Sequence, residues 1–229
     1  MKLLLFDIDG TLIRSDGAGR MALAAALEEI FGTAGPIAEY KMSGKTDARI
    51  ITDLLTAVGI ATADITAKLP LVYERMADKA RQIYPERKVA VCPGVPELLR
   101  RLQQQPDVAL GLLTGNARQT APLKLAMGNI NPAQFHVGAY GSDHLDRNHL
   151  PAMAMQRAEN LWQRPFSGAN TVVIGDTPAD ILCARAGEAT AVAVASGWHA
   201  TTTLARYNPD HLFENLADTD AVLAALLEE

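Results

Sequence analysis

Cysteine is almost missing from this 229-residue chain, with Cys92 and Cys183 the only two. Thiols so few and so far apart exclude a disulfide framework or a zinc knuckle, so a reducing cytoplasm is the expected location and both are expected to be inert and buried. Long apolar runs are missing too. No stretch reaches the roughly 18 residues of a membrane span, and the N-terminal run is stopped by Asp7, too soon for a secretory leader; a soluble protein with no membrane partner is expected. There is no basic run either. Lys and Arg number 21 against 26 Asp and Glu, a net charge of −5, and this disfavours a nucleic-acid partner, because backbone phosphate is held by clustered cations. Internal repeats and low-complexity segments are absent. With 48% hydrophobic residues, the chain can bury a substantial core.

What is present is an alternation. Short apolar runs at Leu3–Ile8, Val108–Leu113, Phe135–Tyr140, Thr171–Ile174 and Ala191–Ala195 alternate with helix-like segments at Pro96–Gln104, Ala117–Met127, Ala152–Trp162 and Ala179–Ala186. Strands without polar alternation, separated by helices, predict an α/β fold with a doubly wound, mainly parallel sheet. Such a sheet collects its ligand at the carboxyl ends of its strands. The first two runs are separated by roughly 95 residues, where a crossover needs about 30. That interval carries helical patterns at Met21–Phe31, Ala48–Val58 and Ala63–Ile83, the last expected to kink or split at Pro70. An inserted helical cap at about 16–86 is expected above a core of about 1–15 and 87–229.

The strand ends hold the chemistry. Asp7 and Asp9 follow the first run, Thr114-Gly115-Asn116 the second, and Gly175-Asp176-Thr177-Pro178-Ala179-Asp180 the fourth. Carboxylates crowded into one crevice are unfavourable unless a cation sits among them, and hard oxygen donors with little Cys or His suit Mg²⁺. Asp7 and Asp9 are two apart on an extended chain and share a side, so one can attack as nucleophile while the other serves as acid and base. Thr114 can hydrogen-bond an anionic oxygen, and the amides near Gly115 and Asn116 are expected to open a helix whose N-terminus favours a phosphoryl group.

Three segments in this order, "DIDGTL" at 7–12, "LLTGN" at 112–116 and "GDTPAD" at 175–180, resemble the first, second and fourth motifs of the haloacid dehalogenase (HAD) superfamily, in its phosphatase branch. The resemblance spans the whole chain, because the early insert matches the helical cap of that family, and "SGKTD" at 43–47 resembles the cap signature of its phosphoglycolate-phosphatase-like members. It implies a Rossmann-like core and a Mg²⁺-dependent phosphomonoester hydrolase acting on a small molecule. Asp7 would become an aspartyl phosphate, Asp9 would serve as acid then base, and Thr114 would hold the phosphoryl group. Mg²⁺ would sit on Asp7, the backbone carbonyl of Asp9 and Asp176, with Asp180 in support.

The third motif departs from the family pattern. It usually offers a lysine ahead of a proline, but 146–158 reads "DRNHLPAMAMQRA", so the role falls to Arg147, although Arg and Lys are not interchangeable. In the cap, Lys45 and Arg49 are candidate substrate contacts beside Gly115 and Asn116. "SGKT" at 43–46 lacks the first glycine of a nucleotide-binding loop, having Glu39 there, and "GAGRMA" at 17–22 lies too far from the strand for a dinucleotide fingerprint. Dehalogenases of the superfamily lack the second carboxylate, so Asp9 favours phosphate chemistry. The alternatives are a phosphomutase, a phosphonate hydrolase with Lys45 as its Schiff-base lysine, and a non-catalytic phosphate-ligand-binding protein. The phosphoester's identity and the oligomeric state are not legible.

Overall fold

Leu4 and Phe6 pack into one hydrophobic cluster, while Leu3 and Leu5 pack into another. That period of two makes this apolar run a strand buried on both faces. In the computed structural model, which describes residues 1–228, it is β1 (Lys2–Phe6), followed by the two-residue β2 (Ile13–Arg14). Three helices come next: α1 (Ala18–Phe31), α2 (Asp47–Thr56) and α3 (Thr62–Ile83). The chain returns through β3 (Ala90–Val91), which pairs antiparallel with β2 as Ile13↔Val91 and Arg14↔Ala90. The insert thus leaves and rejoins the core through one narrow ribbon.

The core continues with α4 (Val95–Leu102), β4 (Val108–Thr114), α5 (Ala121–Met127), β5 (Val137–Tyr140), α6 (Leu150–Trp162), β6 (Thr171–Gly175) and α7 (Pro178–Ala186). It ends with β7 (Thr190–Val194), α8 (Thr201–Leu204), β8 (His211–Phe213) and α9 (Thr219–Leu227). The sheet order is β5-β4-β1-β6-β7-β8, with every pairing parallel. The chain runs outward on one side of β1 and then crosses to the other, so the switch point lies at β1 between β4 and β6. The insert keeps its own apolar clusters, built on Leu27, Ile51 and Leu54 and on Ala22 and Ala80.

Several expectations are corrected. Pro70 does not split α3, which runs unbroken through it; Pro70 and Thr66 are exposed, so the Thr66 carbonyl, deprived of its partner, can turn to water. The helix expected from Ala117 begins at Ala121. Residues 117–120 form a turn whose first amide is taken by the insert, as Ala117 N–H donates to Asp47 at 2.7 Å. Gly115 and Asn116 therefore do not open a helix. Cys92 and Cys183 are buried and unpaired, and among the described residues no helix is long and apolar enough to cross a membrane.

Candidate active site

Asp7 stands one residue beyond β1, where its amide still donates to Ile174 of β6 at 2.9 Å. The chain then turns sharply. Gly10, at φ +86°, takes a conformation that other residues resist, and a Cβ there would lie 2.3 Å from an Asp176 oxygen. Only this bare backbone lets the turn carry Asp9 over Asp7 while Asp176, at the end of β6, fits beneath it. Asp7 and Asp176 are 5% and 1% exposed.

Asp7, Asp176 and Asp180 each place a carboxylate oxygen within 4.8 Å of the others. Burial, followed by the neighbouring charges of Asp180 and Asp7, pushes the Asp176 carboxyl up to about 9. Asp7 is raised to about 6, mainly by burial, against the opposing pull of Arg147 and the hydrogen bond from Thr114. Asp176 Oδ1 is buried with no hydrogen-bond partner. A pair of carboxyls so reluctant to ionise, one with an orphaned oxygen, fits a hard divalent cation such as Mg²⁺. Asp180 is differently occupied. Its Oδ2 accepts from the Thr177 amide at 2.9 Å and hydroxyl at 2.7 Å, and its Oδ1 takes Arg147 Nη2 at 2.5 Å. With both oxygens committed, Asp180 caps α7 and aims Arg147, leaving the open oxygens to Asp7 and Asp176.

Arg147, 7% exposed, lies with Nη2 3.4 Å from Asp7 Oδ1. A buried guanidinium in this position supplies a fixed positive charge against the carboxylate and anything anionic bound to it. The Thr114 hydroxyl is fully buried beside Asp7. Asn116 does not turn to the cavity alone: its Nδ2 donates to Asp9 Oδ2 and Thr114 Oγ1, both at 2.8 Å, tying the two together.

A cavity of about 540 Å³ opens between core and insert, reaching Asp7, Asp9, Gly115, Arg147 and Asp176 below and Lys45, Leu23, Ile50 and Met76 above. Lys45 lines it, with Nζ 2.6 Å from the Tyr40 hydroxyl and 3.7 Å from Asp53. Arg49 does not. It pairs with Asp53 at 2.8 Å on the outer surface of α2, with 57% of its side chain exposed. Gly115 contributes backbone, its carbonyl accepting from the Asp47 amide at 2.7 Å.

One residue escaped the sequence reading. Lys124, 6% exposed in α5, places Nζ 2.5 Å from Asp9 Oδ2. Burial alone would raise the Asp9 carboxyl, but the charge and hydrogen bond of Lys124, helped by Asn116 and Ser15, hold it below its ordinary value. The available signal was a lone lysine inside "APLKLAM", ten residues past Thr114.

Paired carboxylates and a buried guanidinium, lying under an insert that follows the first strand, make this a capped α/β site suited to an anion. The chain belongs to the haloacid dehalogenase-like hydrolases, whose family profile matches residues 1–187, and it is therefore an enzyme. It is similar, at 28% identity over 100% of both chains, to a phosphoglycolate phosphatase of Synechococcus elongatus. A pyrophosphatase PpaX of Oceanobacillus iheyensis is 25% identical, over 95% of this chain and 94% of that one. In fold the chain resembles CbbY from Rhodobacter sphaeroides, solved in complex with phosphate, at TM-score 0.70 and 16% identity over 95% and 96% of the two chains.

Proposed function

We propose that the chain is a Mg²⁺-dependent phosphatase of small phosphomonoesters, phosphoglycolate or a sugar phosphate among them. The observation that carries this reading is the placement of Asp7, buried at the end of β1 with Arg147 3.4 Å away, and of Asp9 facing the cavity above it. The relatives named for phosphoglycolate and pyrophosphate hydrolysis support it.

An Asp7 oxygen attacks phosphorus in line with the ester oxygen, the P–O ester bond breaks, and Asp9, which takes up a proton as the ester's negative charge arrives beside it, gives that proton to the departing alkoxide. Asp9 then takes a proton from water as that water attacks the aspartyl phosphate, and the bond from phosphorus to Asp7 breaks. Thr114 and Arg147 bind the phosphoryl oxygens throughout, stabilising charge as it redistributes. Mg²⁺, held by Asp7 and Asp176, would supply further charge neutralisation at those oxygens. Asp180 keeps Arg147 in register. Lys45, on the cap wall, contacts the leaving group.

The test is phosphate release from a panel of phosphomonoesters, with Mg²⁺ and with EDTA, for the wild type and Asp7→Asn. Release is expected to need the metal, and Asp7→Asn to lower kcat at least about a thousandfold, as loss of a nucleophile does. Turnover persisting in Asp7→Asn at a comparable rate would overturn the proposal.

A further inference from the structure

Asp9 faces the cavity with 40% of its side chain exposed, yet its carboxylate is held from three sides. Ser15 Oγ donates to Oδ1 at 2.9 Å, Asn116 Nδ2 to Oδ2 at 2.8 Å, and Lys124 Nζ to Oδ2 at 2.5 Å. A carboxylate oxygen offers about two acceptor positions. Oδ2 is therefore saturated, while Oδ1 keeps one lone pair open. Of the three donors, only Lys124 carries a charge.

Lys124 reaches Asp9 by an unusual route. Its side chain, 8% exposed, rises from the middle of α5, and an ammonium so buried is tolerated only when paired. Part of its enclosure comes from the cap. A Cβ on Gly19, in the first turn of α1, would stand 2.9 Å from Lys124 Nζ, 3.0 Å from Cε and 4.0 Å from the Tyr84 hydroxyl. The lysine thus threads a slot bordered by the outgoing and the returning segments of the insert, and the missing side chain at Gly19 keeps that slot open.

We infer that Lys124 is a positioning residue for Asp9: it fills Oδ2, so that Oδ1 is the atom that gives the proton to the leaving group and takes it back from water, and the cap keeps it there through Gly19. The inference rests on the phosphatase reading above. Lys124 also borders the cavity and its ammonium has donors besides the one given to Asp9, so the split between kcat and KM separates positioning of Asp9 from binding of substrate.

The experiment uses the full-length protein as wild type, Asp9→Asn, Lys124→Met and Gly19→Ala. Steady-state kinetics with phosphoglycolate are paired with stopped-flow release of nitrophenolate from p-nitrophenyl phosphate. Lys124→Met is expected to lower kcat for the alkyl ester about 100-fold, the scale of a general acid–base contribution, with KM within twofold. With the aryl ester it shows a burst of one nitrophenolate per site and then slow turnover, since that leaving group departs without a proton while the aspartyl phosphate still needs Asp9. Asp9→Asn gives the same pattern. Gly19→Ala displaces the ammonium by a few tenths of an ångström and lowers kcat several-fold, with Tm equal or raised because alanine favours a helix; a purely structural role would move Tm down with kcat. If Lys124→Met does not fold, Gly19→Ala decides. A kcat within threefold of wild type, a loss carried by KM alone, or a kcat loss without the burst overturns the role of Lys124 and leaves the phosphatase reading standing. Wild-type protein without Mg²⁺-dependent release from either ester overturns that reading instead.

Discussion

At Asp47 a single carboxyl shows how tightly the insert is joined to the core. Burial raises it to about 6, opposed by the charge of Lys124 and the hydrogen bond from the Ala117 amide. Between its unfolded value of 3.8 and about 6, the folded state binds more protons than the unfolded one, so this group makes stability fall as pH rises through that window. Asn at 47 keeps the acceptor for Ala117 and removes the charge. Asp47→Asn is therefore expected to gain on the wild type as pH rises, its Tm advantage being about 5 °C larger at pH 8 than at pH 4; thermal melts of both proteins across that range check it, and a constant difference would rule out the buried-charge account. The sequence made some of this site legible and not the rest, for a physical reason. Asp7, Asp9, Thr114 and Asp176 stand at strand ends, and a parallel sheet brings strand ends together whatever the helices between them do. Lys124 works from the middle of a helix, where one lysine among apolar residues is indistinguishable from a solvated position until the packing of Gly19 is known. Arg49 went the other way: it lies four residues past Lys45, but Lys45 precedes the cap of α2 while Arg49 sits in its first turn and points outward to Asp53.

The N-terminus of α2 is the element that fastens lid to core. Asp47 and Ala48 donate their amides to the carbonyls of Gly115 and Gly141 at 2.7 and 3.0 Å, beyond β4 and β5. Thr46, 1% exposed, accepts from the Arg49 amide at 3.2 Å as helix cap and donates to the Leu145 carbonyl at 2.8 Å. Thr46→Val keeps the shape and removes both bonds, leaving a partly buried donor and acceptor to find water, at a cost of about 1–2 kcal/mol for the lost cap and hydrogen bond. Amides of Asp47, Ala48 and Ile50 should then exchange with solvent at least about tenfold faster, while those of β1 and β4 keep their protection. Exchange rising uniformly across the protein would mean that no separate latch exists. The elements legible in the sequence are those with long signals. The five principal strands, and helices α1 to α7 apart from the start of α5, follow from apolar runs and helical periods, whereas the four-residue α8 carries no such signal. The ribbon of β2 and β3 has two residues in each strand, and β8 has three half-buried ones; such segments carry no periodicity, and partners distant in sequence make them strands.

Over the whole molecule, the apolar clusters divide as the chain does. The two that sandwich the sheet draw no residue from the insert, and the insert's larger cluster borrows only Ala117 among its fully buried members from the core. Arg14 and Ala90 are already paired neighbours across the ribbon, so the ends left by removing the cap lie within reach of a tight turn. Replacing residues 16–88 by Asn-Gly is therefore expected to yield a folded core. The cost should be small, since Leu123 and Met127 lose the partners they have around Tyr84 while both faces of the sheet stay covered. Catalysis should suffer far more. Without the cap there is no upper wall to the cavity and no Gly19 slot to hold Lys124 against Asp9, so turnover of alkyl phosphates should be lost, while p-nitrophenyl phosphate, which needs no proton on departure, is still cleaved slowly. Circular dichroism melts and the two assays read the outcome. A single cooperative transition with that split in activity would establish the core as an independent unit that the cap completes. A chain that aggregates or melts without cooperativity would show that the sheet needs its lid in order to fold.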